Sequence, residues 1–265
     1  MDSIRDRVTI EFRQHLAVVA LHRPEKYNAL DLDLMHGLVE AARRVRREKD
    51  IRAVILHGEG KAFCAGLDFA SVTRKPARIL TAFLPWLRKD NVFQRVCLAW
   101  RDLPMPVIAI THGYCFGGGM QIALGCDFRF STPDCQFSIM EIKWGLIPDM
   151  GASVTLRDLV PYDVALELTL TGRKFGASEA LDLNLVSAIA DEPMEQALAL
   201  ADTIAGHSPD AIVAAKRLFR ETRQGSERHA LRRERRLQLG VLLGANQREA
   251  MRARLEERDP NFTSR

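Results

Sequence analysis

No apolar stretch of this 265-residue chain approaches the roughly 18 residues needed to cross a bilayer, so no membrane-spanning helix is expected. The opening Met1-Asp2-Ser3-Ile4-Arg5-Asp6-Arg7 is charged from its start, which predicts a cytoplasmic protein. Cysteine is sparse and scattered: Cys64, Cys97, Cys115, Cys126 and Cys135 are odd in number and never spaced C-x-x-C. Reduced thiols in the core or at strand ends are therefore expected, rather than a disulfide framework or zinc ligands, and no metal site is expected. Nor is there a strong excess of one charge, with 38 basic and 34 acidic residues giving a formal net charge of +4. The basic runs Arg43-Arg44-Val45-Arg46-Arg47 and Arg232-Arg233-Glu234-Arg235-Arg236 read as solvated helix faces, and the acids Glu234 and Glu249 argue against a broad nucleic-acid surface. A phosphate-bearing small molecule suits the mild excess better. A hydrophobic content of 47% rules out disordered and fibrous classes and supports one large domain, or one domain with a helical appendage.

What is present is a succession of apolar strands and helical patterns. Val8-Thr9-Ile10 and residues 16–21 predict an opening hairpin, and residues 33–49 predict a helix with Leu34, Leu38, Ala41, Ala42 and Val45 on one face. Buried parallel strands are expected at Ala53-Val54-Ile55-Leu56, at Val107-Ile108-Ala109-Ile110 and at Phe128-Arg129-Phe130. Residues 69–103 carry no strand pattern. Leu80, Phe83, Leu84, Trp86, Leu87, Val92, Phe93, Val96 and Leu98 make them a helical insertion that either lines a pocket or packs the core. Beyond Pro161 the chain reads as helices over 162–171, 178–183, 194–206, 209–224 and 227–256, with Pro193 and Pro209 near helix starts. Leu231, Leu237, Leu239, Val241, Leu242 and Leu243 are too dense for a solvated edge, which predicts an oligomer.

Two glycine-bearing segments follow the first two buried strands: Lys61-Ala62-Phe63-Cys64-Ala65-Gly66-Leu67-Asp68 and His112-Gly113-Tyr114-Cys115-Phe116-Gly117-Gly118-Gly119-Met120-Gln121. Adjacent parallel strands ending in such turns present bare backbone N–H groups. The second turn opens a helix, whose unpaired N–H groups and dipole favour developing negative charge. Together they predict an oxyanion hole.

Five segments in order carry a resemblance: Arg23-Pro24-Glu25-Lys26-Tyr27-Asn28-Ala29-Leu30, residues 62–68, residues 113–119, Met140-Glu141-Ile142, and Gly145-Leu146-Ile147-Pro148. The set closely resembles the crotonase superfamily, the enoyl-CoA hydratase/isomerase family, over nearly the whole chain. The resemblance implies an α/β crotonase fold of the ClpP/crotonase-like type, with repeated ββα units forming a spiral core over residues 1–200 and a helical trimerisation or lid region over 201–265. It implies an acyl-CoA thioester as substrate, no cofactor beyond the CoA that enters with it, and a homotrimer or dimer of trimers. Carried over by position, the oxyanion hole falls on the backbone N–H groups of Leu67 and Gly118. Lys26, Ala65 and Asp68 resemble the CoA-binding edge, although Lys26 reads equally well as a surface lysine.

Carboxylates decide the chemistry. Hydratases of this family place one glutamate where this chain has Gln121 and another where it has Glu141. An amide can hold water but cannot exchange its proton usefully at neutral pH, so hydration is in doubt. Glu141 lies among Ile139, Met140, Ile142 and Trp144, surroundings that raise a carboxyl pKa, and it reads as the catalytic base, with a strand-end cap as its structural alternative. Asp149 occupies a place where dienoyl-CoA isomerases resemble this chain in having an aspartate, though they also carry one at the position of Gln121. As a residue after Pro148, Asp149 is equally a turn former. Two carboxylates and an oxyanion hole predict a double-bond isomerase, with Gln121 orienting rather than titrating. A hydratase, or a non-catalytic acyl-CoA carrier, are the alternatives. At the C-terminus, Arg254 and Glu257 replace an aromatic and a lysine found in many relatives, so Arg254 is the candidate for the lost phosphate contact and Arg258 a structural residue.

Overall fold

Alternating inward Val8 and Ile10 make the strand Val8–Arg13 one-faced, whereas Leu16–Leu21, Ala53–Gly58 and Val107–Thr111 are mostly apolar and buried on both faces. The computed structural model describes residues 2–73, 81 and 90–264. Strand β1 (Asp2–Ile4) pairs antiparallel with β2 (Val8–Arg13), and β2 with β3 (Leu16–Leu21), forming the expected hairpin plus a first strand that sequence reading missed. Helix α1 (Leu32–Arg47) begins at Asp31, whose carboxylate accepts from the Leu34 N–H at 2.7 Å. Its buried face includes the five residues expected, and Arg44, Arg46 and Arg47 lie in its last turn, where cations suit the helix dipole. The chain returns as β4 (Ala53–Gly58), parallel to β3.

Helices α2 (Phe69–Thr73) and α3 (Val92–Arg101) lead to β5 (Val107–Thr111). Of the apolar residues singled out between 69 and 103, Phe93 and Val96 are buried on α3, while Leu80, Phe83, Leu84, Trp86 and Leu87 lie outside the described residues. Next come β6 (Tyr114–Phe116), α4 (Gly118–Leu124), β7 (Phe128–Ser131) and β8 (Gln136–Ser138). They are followed by α5 (Ala152–Thr155), α6 (Tyr162–Thr171), β9 (Phe175–Gly176), α7 (Ala177–Asp182) and β10 (Ala188–Ile189). The chain closes with α8 (Pro193–Ala205), α9 (Pro209–Thr222), α10 (Glu227–Leu242) and α11 (Ala245–Leu255).

The main sheet runs β1-β2-β3-β4-β5-β7-β10, and a second sheet runs β6-β8-β9. From β3 to β10 the main sheet is parallel, so the C-terminal ends of β4 and β5 emerge side by side and feed the second sheet. The 64–67 segment joins that sheet through an isolated parallel backbone β-bridge between Cys64 and Cys115. All five cysteines are free and buried.

One expectation is corrected by the helices. The single helix over 227–256 is two, because Leu243 ends α10 and Gly244, in an extended conformation, opens α11. Helix α8 lies against the main sheet, its Ala197 and Ala201 packing with Ile55, Ile108 and Phe130. No helix among the described residues is long and apolar enough to cross a membrane.

One polar side chain ties this core to the site. Asn28 is fully buried with φ 55°, a left-handed conformation that asparagine tolerates better than most residues. Its amide donates to Glu59 O at 2.9 Å and Ala62 O at 2.8 Å, and its oxygen accepts from Arg23 N–H at 2.8 Å. The 23–30 turn is thereby anchored to the end of β4. Asn28→Ala strands three buried backbone groups and should cost on the order of 3 kcal/mol of stability, read as a lower urea midpoint with an unchanged slope.

Candidate active site

The site grows from a backbone contact. Cys64 N–H donates to Tyr114 O at 2.9 Å and Phe116 N–H to Cys64 O at 3.0 Å, which places residues 64–67 beside β6. On the opposite side, Leu30 N–H donates to Gly66 O at 2.7 Å and Asp68 N–H to Leu30 O at 3.0 Å. In a trans peptide the N–H points away from the preceding carbonyl. Because Gly66 O faces Leu30, the Leu67 N–H faces the other way, where β6 has already ended and α4 begins. Gly118 is in the first turn of α4, where N–H groups have no intrahelical acceptor. Leu67 and Gly118 both line one cavity of about 560 Å³.

Glycine is required at two points of this turn. Gly117 has φ 50° and ψ −120°, a conformation closed to residues with a side chain. At Gly119 a Cβ would lie 2.6 Å from the Cys64 Cβ and 2.7 Å from the Cys64 carbonyl oxygen. Only a bare Cα lets α4 approach the 64–67 segment so closely.

Gln121, one turn into α4, is 1% exposed. Its Nε2 donates to Glu141 Oε1 at 2.6 Å, and its Oε1 accepts from Met150 N–H at 2.9 Å and Ala152 N–H at 3.2 Å. The amide thus holds the base candidate at one end and the backbone flanking Asp149 at the other. Glu141 opens a short 3₁₀ turn (Glu141–Trp144) after β8. Its Oε2 is buried and has no hydrogen-bond partner among the described residues. Burial pushes its carboxyl above the ordinary glutamate range, and Asp149 adds to the effect, while its own backbone and Gln121 pull the other way. Burial likewise raises Asp149. Glu141, Asp149, Leu67, Gly118 and Ala65 therefore meet on one cavity wall, with Gln121 directly behind.

The remaining candidates lie elsewhere. Lys26 is exposed at the end of the Pro24–Lys26 turn, which reaches the site through Ala65 N–H donating to Tyr27 O at 2.9 Å. Asp68 is bound by Arg23 Nη1 at 2.8 Å and accepts from Ser71 N–H at 3.1 Å, so its carboxylate caps α2. Arg254 is exposed on α11, outside the cavity lining, and Arg258 is tied to Glu249 at 2.6 Å and Glu256 at 2.7 Å, the structural role expected of it. Sequence reading missed Phe69 and Met150 as wall residues. Their only signal was adjacency to Asp68 and Asp149.

The two raised carboxyls store instability. A group whose folded pKa lies above its unfolded value stabilises fully below the unfolded pKa, and that contribution is lost as pH rises through the folded pKa. At pH 7 Glu141→Gln should therefore unfold at a higher urea concentration than the wild type, and the difference should disappear at pH 3 to 4, where both states are protonated.

A sequence model described as enoyl-CoA hydratase/isomerase matches residues 11–265. The chain is 36% identical over 262 residues to the enoyl-CoA hydratase EchA19 of Mycobacterium tuberculosis, covering 97% of this chain and 96% of that protein. It is also 36% identical over 213 residues to the mitochondrial Δ(3,5)-Δ(2,4)-dienoyl-CoA isomerase of Mus musculus, covering 77% of this chain and 65% of that one. The crystal structure of an enoyl-CoA hydratase from Bacillus anthracis superposes with a TM-score of 0.88 at 28% identity, covering 97% of this chain and 98% of the other. The sheet order, the glycine turns and these likenesses agree: the chain has the crotonase fold and belongs to the enoyl-CoA hydratase/isomerase family.

Proposed function

We propose that this member of the family is an acyl-CoA double-bond isomerase. The observation that carries the reading is the state of Gln121: its oxygen is saturated by two backbone donors and its amide is committed to Glu141, so position 121 supplies neither an acid nor a place to hold an attacking water. Two raised carboxyls remain on the cavity wall, enough to move a proton between carbons.

In this mechanism the thioester oxygen lies against the Leu67 and Gly118 N–H groups. Glu141, as carboxylate, takes the proton from the carbon next to the thioester through Oε2, the oxygen that Gln121 leaves open. The negative charge passes to the thioester oxygen as an enolate, where a single such donor is worth roughly 100- to 1000-fold in rate. Asp149, or the newly protonated Glu141, returns a proton further along the conjugated system, and the double bond has shifted with no atom gained or lost. Lys26, Ala65, Asp68 and Arg254 are assigned to the CoA moiety in the same reading, Asp68 through the turn it caps rather than through its engaged carboxylate.

Product analysis tests the reaction. Incubated in heavy water with 2-enoyl-, 3-enoyl- and 3,5-dienoyl-CoA esters, the protein should return a shifted double bond, carrying deuterium where Asp149 supplies the returning proton and none where Glu141 hands back the one it took. A product heavier by one water would overturn the isomerase in favour of a hydratase. Glu141→Gln should slow the reaction about 100- to 10,000-fold, the range for loss of a general base, while retaining CoA-ester binding.

The same reading includes assembly into a homotrimer or dimer of trimers. On the helical end Phe219, Leu239, Leu242 and Leu243 are exposed large apolar residues, more than a solvated face carries without cost. Light scattering of the purified protein should give a mass that is a multiple of three chains, and a stable monomer would reject this part.

A further inference from the structure

Behind the Leu67 N–H two peptide groups lie in series. The oxygen of the Gly66–Leu67 peptide accepts from the Leu30 N–H at 2.7 Å, and the oxygen of the Ala29–Leu30 peptide, which owns that N–H, accepts from Arg23 Nη1 at 2.9 Å. Carbonyl and N–H point opposite ways in a trans peptide, so the series continues through Leu67 to the cavity side. The Leu67 N–H itself takes no acceptor among the described residues. An unbroken chain of hydrogen bonds therefore runs from a guanidinium to a candidate oxyanion donor, every link donating in the same direction.

Arg23 is fixed in the place this requires. Its side chain is only 10% exposed, its own N–H donates to Asn28 Oδ1 at 2.8 Å, and its oxygen accepts from Asn28 N–H at 3.0 Å. The same Nη1 that meets Ala29 lies 2.8 Å from Asp68 Oδ2. One nitrogen thus grips residue 29 on one segment and residue 68 on the other, the neighbours of the Leu30–Leu67 bridge. Nε lies 3.6 Å from Asp31 Oδ2 and has no hydrogen-bond partner among the described residues, which leaves the two Nη1 contacts as the ones that aim the group.

Hydrogen bonds in series polarise one another, by roughly 10–30% per bond. A cation on the Ala29 oxygen draws electron density from that peptide and makes the Leu30 N–H a stronger donor to Gly66 O, which in turn strengthens the Leu67 N–H. The effect on Asp68 has the same sign. Unpaired, that carboxylate would stand one residue from the donor and oppose a negative charge forming there, and pairing with Arg23 reduces the opposition.

We infer that Arg23 is a positioning residue of the oxyanion hole: through the Ala29–Leu30 and Gly66–Leu67 peptides it aims and polarises the Leu67 N–H without touching the substrate. The inference rests on the acyl-CoA reading above.

Infrared difference spectroscopy of butanoyl-CoA, isotope-labelled at its thioester carbonyl, reads this apart from the reaction. A saturated ester has no double bond to shift, and its carbonyl stretch falls as donors to its oxygen strengthen. Arg23→Gln and Arg23→Lys are compared with the wild type. Loss of Arg23 leaves neither acid bare, since Arg7 stays 3.0 Å from Asp31 and the Ser71 N–H 3.1 Å from Asp68, so Arg23→Gln should fold. In that variant the bound carbonyl stretch should lie between those of the wild-type complex and the free ester. Its kcat on the enoyl or dienoyl ester turned over should fall about 2- to 8-fold, which is 10–30% of one donor's worth on a logarithmic scale. Affinity for butanoyl-CoA should change less than about twofold, because a neutral carbonyl gains little from the stronger donor. Arg23→Lys should keep both the shift and kcat, because both short contacts come from one nitrogen and an ammonium can supply them. A folded Arg23→Gln variant with the wild-type carbonyl stretch would overturn the inference and leave Arg23 a staple of the turn. Should that variant not fold, Arg23→Lys decides: a retained shift supports the inference and a lost one overturns it. A wild type that fails to bind butanoyl-CoA, or binds it with no carbonyl shift, would remove the acyl-CoA reading instead, a result distinct from a shift insensitive to Arg23.

Discussion

The close approach of α4 to the 64–67 segment is the constraint on which the rest of the site depends. Both candidate oxyanion donors are backbone groups, so no side-chain change can aim them; only the path of the chain can. That path requires Gly117 to turn where other residues cannot and Gly119 to pack against Cys64 with no Cβ between them. It also requires the 23–30 turn, because the bridge from Leu30 to Gly66 and Asp68 is what turns the Leu67 N–H toward α4. Asn28 holds that turn to the end of β4. The main sheet sets the spacing beneath it, since parallel neighbours β4 and β5 deliver the two segments at the same edge.

Against this rigid backbone the ionisable groups are arranged with economy. A carboxylate held in apolar surroundings is destabilised by the loss of water, and this protein offsets the loss on only one of the two Glu141 oxygens. The other has no partner among the described residues. An amide at position 121 donates to Glu141 without adding a second negative charge beside it, and its oxygen also organises the segment bearing Asp149. A carboxylate at 121 would satisfy the same backbone donors but repel Glu141 when ionised. Glutamine at position 121 therefore contributes placement, holding Glu141 at one end and the backbone around Asp149 at the other.

Outside the site, charge is handled by pairing at half-buried and buried positions. Half-buried Lys216 lies 2.6 Å from Asp127, Arg101 lies 2.6 Å from Asp158, and buried Arg129 is satisfied by the carbonyl oxygens of Leu185 and Cys126. Breaking such buried contacts costs more than forming them gains, so they serve the fit of the helical end on the sheet rather than a large net stabilisation. The mild basic excess of the chain is spread over these pairs and over exposed helix faces.

Periodicity and punctuation were enough to place α1, the β2–β3 hairpin and strands β4, β5 and β7, because each buries a run or a face whose spacing is visible in one dimension. They were also enough to mark the two glycine turns, whereas Glu141, Asp149 and Gln121 were singled out by the resemblance to the enoyl-CoA hydratase/isomerase family. The short strands β8, β9 and β10 were not legible, since two or three residues carry no period and are held only by partners distant in the chain. The break at Gly244 was hidden by helix formers on both sides. Local sequence by itself determined which segments are strands and helices, where the chain must turn on glycine, and that position 121 holds an amide. Tertiary structure alone decided that this amide spans Glu141 and the backbone around Asp149, that Asp68 is spent on Arg23 and α2, and that Trp144 stacks on Phe69. Those contacts join residues with no neighbouring positions in sequence, and only the packing of the sheet edge against α4 brings them within reach.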